Sequence, residues 1–189
     1  MKKALVVLAV ALVIIFAVFA LKKNSKISQN AVFDNPFSQH AFSQAGLSKL
    51  HVAVIKRDSK TVLELLDKGA DPNSTSADGT SPLHSACVFG PIQCVEILLD
   101  HGANIEARDA GGNTPLTIAA SAGQPEIVKL LLKRGARLDV RNSKGNTPLQ
   151  AVLFFKDTLS SNPVAKRASS GLRDKLDQCA QLLREHGAK

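Results

Sequence analysis

From about Leu47 onward, apolar residues fall into two alternating kinds of segment. One is a short run that follows a turn and stops at glycine, as in "DGTSPLHSACVFG" (78–90) and "GGNTPLTIAASAG" (111–123), and it starts again as "KGNTPLQAVLFFK" (144–156). The other carries apolar residues at helical spacing, such as Val62, Leu65, Leu66 and Val95, Leu98, Leu99, and also ends at glycine. Both predict helices, the first kind about eight residues long, ending near Gly90 or Gly123. Ser81, Thr114 and Thr147 stand where a hydroxyl can accept from the free amides of a first turn. Pro82, Pro115 and Pro148 follow at the first helical position, where no donor is wasted. Gly69, Gly102 and Gly135 are placed as helix stops, because a residue without Cβ takes a left-handed turn cheaply. The segments after them ("ADPNSTSADG", "ANIEARDAGG", "ARLDVRNSKG") are turn-rich and predict projecting hairpins.

The pattern has a fixed beat. Leu83, Leu116 and Leu149 are 33 residues apart, and one more step back reaches Leu50 in "SKLHVAV". The strings "LLDKGAD", "LLDHGAN", "LLKRGAR" and "LLREHGA" recur after the second kind of helix. A period of this size means a stacked array. The unit T-P-L-H-x-A, then G, then V-x-x-L-L-x-x-G-A, resembles the ankyrin repeat over roughly residues 47–189. That resemblance implies an all-α solenoid of about four helix-turn-helix units joined by β-hairpin-like loops. The copies run 47–77, 78–110, 111–143 and 144–189, preceded by a hydrophobic helix at 1–23 and a tether with a short capping segment at 24–46.

The ends of the array read differently. In the third copy "PEIVKLLLKRG" is apolar over most of its circumference, as between two neighbours. In the last, Leu172, Leu176, Cys179 and Leu183 form one stripe, while Asp174, Lys175, Gln178, Gln181 and Glu185 face away, so this helix closes the stack with a wet outer side. At the other end "DNPFSQHAFSQAG" offers Asp34 or Asn35 as a cap, Pro36 at a helix start, and Phe37 and Phe42 as cover; a disordered spacer is the alternative. The fourth copy departs from the pattern. It has 38 residues from Leu149 to Gly187, against 19 from Leu83 to Gly102, and the Ser-rich insertion near 156–171 reads as a mobile surface loop.

Ahead of the repeats, Ala4 to Leu21 is a run of 18 uncharged residues behind two lysines, about 27 Å as helix, enough to cross a hydrocarbon core. Its length and the closing Lys22-Lys23 favour an uncleaved anchor in a cytoplasmic membrane; cleavage near Val18-Phe19-Ala20 and release to the periplasm is the alternative. Lysines flank both sides, so orientation rests on the two-lysine head staying in the cytoplasm, which leaves the repeats on the periplasmic face. The formal charge of +8 invites a nucleic-acid partner, but five lysines precede the first acid, leaving 19 basic against 16 acidic residues, or +3. With no Trp or Tyr and no basic run interleaved with aromatics, nucleic acid is excluded as the expected partner.

Chemistry is sparse. There is no phosphate loop, H-E-x-x-H, C-x-x-C or G-x-S-x-G, so no catalytic residue, cofactor, metal or small-molecule substrate is expected. His51 and His84 take the fourth place of T-P-L-H, where the resemblance implies a tie between neighbouring backbones; His101 and His186 lie near second-helix ends, and His40 in the capping segment. Cys87, Cys94 and Cys179 read as small buried apolar residues, with a Cys87–Cys94 bridge as the alternative in an oxidising compartment. "NST" at Asn73 matches a glycosylation sequon.

Recognition belongs to the positions that vary while the repeat skeleton stays fixed. The resemblance places them on a concave face made by hairpin tips and first helices. In the second copy they are Thr75, Ala77, Asp78, Thr80, Val88 and Phe89; in the third, Arg108, Ala110, Asn113, Ser121 and Ala122; in the fourth, Arg141, Ser143, Lys144, Asn146, Phe154 and Phe155. Phe89, Phe154 and Phe155 beside Arg and Lys are the expected anchors for a protein partner; the alternative is a packing role, for Phe154 and Phe155 under the local insertion. An inhibitor- or immunity-like protein and a stress-defence accessory both suit such a stack; a cytoplasm-facing membrane scaffold is the rival, and nothing points to an enzyme.

Overall fold

A hydroxyl in front of each first helix starts the pattern of local structure. Ser48, Ser81, Thr114 and Thr147 accept from the backbone amides of His51, His84, Thr117 and Gln150, three residues on. The computed structural model describes residues 42–43, 45–161 and 170–188. Eight helices follow: α1 (Lys49–Ile55), α2 (Ser59–Asp67), α3 (Pro82–Phe89), α4 (Ile92–Asp100), α5 (Pro115–Ser121), α6 (Pro125–Lys133), α7 (Pro148–Ser161) and α8 (Ser170–Glu185), with no strand among the described residues. The expected anchor at 1–23, the cap residues Asp34 to Phe37, and His40 lie outside the described residues. No described helix is long and apolar enough to cross a membrane.

The odd-numbered helices pack in sequence as an inner layer and the even-numbered ones as an outer layer, the first three pairs each joined by a short turn. Leu50, Leu83, Leu116 and Leu149 line one continuous core with Val62, Val95, Val128, Leu98 and Leu131, all nearly inaccessible. No pair of seven- to nine-residue helices encloses that much apolar surface alone, so stacking is the burial. Gly69, Gly102 and Gly135 end α2, α4 and α6 with φ of 85°, 84° and 88°, as their placement predicts. Gly90 differs: its φ is −76°, and the demand is for space, since a Cβ there would lie 2.9 Å from the Ala86 Cα.

The two T-P-L-H histidines tie copies together. Each Nδ1 accepts from the serine that caps its helix, the backbone amides of Ser48 and Ser81 lying 3.2 and 3.3 Å away. That leaves Nε2–H to donate to a carbonyl of the next copy, Thr80 from His51 (2.9 Å) and Asn113 from His84 (3.0 Å). Both rings are buried and neutral in this arrangement, and burial pushes their pKa down despite the carbonyl partners. Thr117 and Gln150 take the same place further on. Thr117 bonds only within its own cap (Thr114 Oγ1, 3.1 Å), and Gln150 Oε1 accepts from Thr147 N–H (3.0 Å) in a capping box.

α8 closes the outer layer as its pattern predicts: Leu176, Cys179 and Leu183 are buried, Leu172 is half-buried, and Asp174, Lys175, Gln178, Gln181 and Glu185 are exposed. α6 is less apolar around its circumference than expected, with Glu126, Lys129 and Lys133 in solvent. The insertion also departs from expectation. Instead of one loop across 156–171, α7 continues to Ser161 and α8 starts at Ser170, because Leu159 continues the apolar face of α7 and packs on the core; residues 162–169 lie outside the described residues.

An imidazole with a lowered folded pKa stabilises above its unfolded value near 6.5 and loses that contribution as pH falls below it. Urea unfolding of the wild type should therefore weaken from pH 7.5 to pH 5.5. His84→Gln should be less stable by about 1–2 kcal/mol at pH 7.5 and show a shallower loss on acidification.

Candidate functional site

Between an outer helix and the next inner one the chain runs out to a tip, and three of the tips are closed by backbone bonds from Ser76 N to Thr80 O (2.9 Å), Asp109 N to Asn113 O (3.1 Å) and Asn142 N to Asn146 O (3.0 Å). A side-chain acceptor braces each turn. Asp78 Oδ1 accepts from Ser76 Oγ and Thr80 N; Asp109 Oδ1 from Asn113 N (2.8 Å); Asn142 Oδ1 from Lys144 N and Asn146 N, both 3.0 Å. For Asp78, partial burial opposes ionisation, but the hydrogen bonds from Ser76 and Thr80 outweigh it and hold the carboxyl below its usual range. Successive tips bond to each other through Ala110 N to Asp78 O (2.9 Å) and Ser143 N to Gly111 O (2.8 Å). Three residues before the first tip bond, Asn73 bridges two copies, donating from Nδ2 to Gly102 O (3.1 Å) and accepting from Asn104 N (2.7 Å); Glu106, three residues before the second, accepts likewise from Arg137 N (2.8 Å).

Helix pairs in two layers, tips projecting from one side and backbone ties at a 33-residue interval define the architecture, and residues 50–142 match the family model for ankyrin repeats (3 copies). This is an ankyrin-repeat protein. A search of curated proteins finds no match for the chain. Ankyrin repeats are protein–protein interaction modules, and the pair α7–α8 extends the stack beyond the matched residues.

The expected binding positions divide by copy. In the second repeat most are engaged by the fold. Asp78 braces its turn, the Thr80 carbonyl takes His51 and Ser76, and the Val88 carbonyl accepts from Gln124 Nε2 (3.3 Å). Only Thr75, Ala77 and Asp78 are exposed there. Phe89 is half-buried in a small cluster with Phe42 and Ile55, so it serves the N-terminal end of the ankyrin stack rather than standing out as an anchor. In the third repeat Ala110 is exposed and Asn113 accepts from Asn142 Nδ2 (2.9 Å). Ser121 and Ala122 are half-buried, and the exposed Arg108 donates from its guanidinium to the Arg141 carbonyl of the next tip.

The fourth repeat differs. Arg141, Ser143 and Lys144 are exposed, Asn146 is half-buried, and Phe154 and Phe155 are 60% and 38% accessible. The Lys144 ammonium lies 5.8 Å from the centroid of the Phe154 ring, within cation–π range. Arg141 Nη1 donates to Gly145 O (2.7 Å) and Gln150 Oε1 (3.3 Å), which fixes its guanidinium beside the tip. Gln150, absent from the expected set, is therefore part of this surface; only its tip partner reveals it.

Elsewhere little reactive chemistry is exposed. Cys87, Cys94 and Cys179 are free and buried, with burial pushing all three thiols up, Cys179 to about 12. Among the described residues no three His, Cys, Asp or Glu side chains gather where they could hold a metal ion. At the N-terminal end of the described residues a groove of about 560 Å³ opens beside α1 and α2, lined by Phe42, Leu47, Lys49, Val52, Lys56 and Leu65.

The two aromatic sites are separable by stability. Phe89→Ala should cost roughly 2 kcal/mol in urea unfolding because it empties a packed cluster, whereas Phe154→Ala should stay within about 0.5 kcal/mol.

Proposed function

We propose that this chain is a non-catalytic binding module, holding a protein partner against the tips and inner helices of its third and fourth repeats. The observation that carries the reading is the exposed Phe154 and Phe155 beside Lys144 and Arg141, on a fold that already holds them in place. Aromatic anchors with neighbouring cations, presented by a rigid array, bind at low ordering cost. Residues 4–21 support a tether in the cytoplasmic membrane, with the repeats on the periplasmic side. The action is then occlusion or positioning of the partner at that membrane.

Crosslinking in intact cells followed by mass spectrometry identifies what co-purifies. Replacing Lys144 with Glu together with Phe154 by Ser should lose the crosslinked partner while leaving the thermal midpoint within a few degrees. Undiminished recovery from the double variant counts against this face. A reporter fused after Lys189 should be active only if its chemistry operates in the periplasm; activity of a cytoplasm-only reporter reverses the assigned orientation.

A further inference from the structure

Three successive junctions between tips use the same parts. Gly46, Gly79 and Gly112 have φ of 68°, 75° and 70°, and a Cβ on each would lie 3.0, 3.2 and 3.0 Å from the backbone nitrogen of Ala77, Ala110 and Ser143 in the next tip. That nitrogen donates to the residue before the glycine: Ala77 to Ala45 O (3.0 Å), Ala110 to Asp78 O (2.9 Å), Ser143 to Gly111 O (2.8 Å). At the last junction Arg108 adds a guanidinium bond to the carbonyl of Arg141, two residues before the donor.

The fourth tip carries the same parts, and among the described residues nothing stacks on them. Gly145 has φ of 79°, and among the described residues no atom beyond its own chain neighbours lies within 4 Å of its Cβ position. The Lys144 carbonyl, in register with those of Ala45, Asp78 and Gly111, accepts no hydrogen bond among the described residues. Arg141, in register with Arg108, folds back onto its own tip. Beside this edge stands Phe154, the most exposed large apolar side chain described.

We propose that this edge is an open stacking site, and that an extended segment of the partner protein occupies it as a fifth tip would. A small residue of that segment donates its N–H to the Lys144 carbonyl, and the carbonyl two residues earlier takes the Arg141 guanidinium. An apolar side chain covers Phe154, and an acidic one meets Lys144 and Arg141. Small size follows from Ala77, Ala110 and Ser143, which fill the equivalent place. Acidity follows from charge: Asp109 is held by Asn113 within its own tip, Asp157 has a contact of its own, and among the described residues no ion pair reaches Lys144 or Arg141. The inference rests on the binding reading above and assigns it a place and a partner chemistry.

Phage-displayed random peptides selected on the full chain in detergent test it. Selected sequences should pair a small residue with an acid and an apolar residue, and their binding should weaken about tenfold or more with Phe154→Ser and with Gly145→Asn. Asparagine tolerates the left-handed backbone but sets a Cβ where a stacked amide must come. The same change at Gly112, where the junction is filled, should lower the thermal midpoint, and at Gly145 it should not. Equal destabilisation at Gly145 would show the edge is not open and would overturn the proposal. Peptides that ignore both variants yet lose binding with Arg108→Ala move the contact to the middle of the face, rejecting the edge and keeping the proposed function. Recovery of a crosslinked protein with no binding peptide does the same. Self-association abolished by Gly145→Asn would place a second copy on the edge and reject a foreign segment.

Discussion

Every feature of this molecule depends on a helix pair being too small to hide its own apolar side. Pairs of seven to nine residues per helix leave leucines such as Leu83 and Leu116 half-wrapped unless another pair lies against them. Close approach of neighbouring backbones is therefore required, and it is bought at the tips by glycines that put no Cβ between successive chains. The capping hydroxyls, the histidine ties and the Asn73 and Glu106 bridges all reinforce the same contact between copies.

Because burial is shared between neighbours, the two ends must be managed, and the two layers manage them differently. The outer layer finishes on α8, whose solvent side is polar throughout. Among the described residues the inner layer finishes on α7, with two exposed phenylalanines and a tip at Gly145 that no further tip meets. At the opposite end Phe42 covers Ile55 and takes Phe89 with it. A residue type that reads as an anchor in one copy is thus ordinary core in another.

The repeat and its two helices per copy were legible in the chain. The 33-residue beat placed the leucines of the core, the capping hydroxyls and the stop glycines, and the striped last helix marked the closing end of the stack. The site was legible only as a set of variable positions. Periodicity says which side chain points towards the next copy, but not whether that copy or an upstream segment supplies cover, so Phe89 and Phe154 looked alike. Gly46 went unseen because the first copy lacks the proline that marks the others, although its place in the register is exact to the residue. The continuation of α7 into the insertion was hidden by a serine-rich composition that suits a loop as well as a helix end.

The sequon at Asn73 acquires a different meaning once its amide is seen clasped between two repeats. A sugar on that nitrogen would leave it a single N–H, which must still point at the Gly102 carbonyl for the junction to close, so the fold itself restricts the triplet once the first and second copies have met.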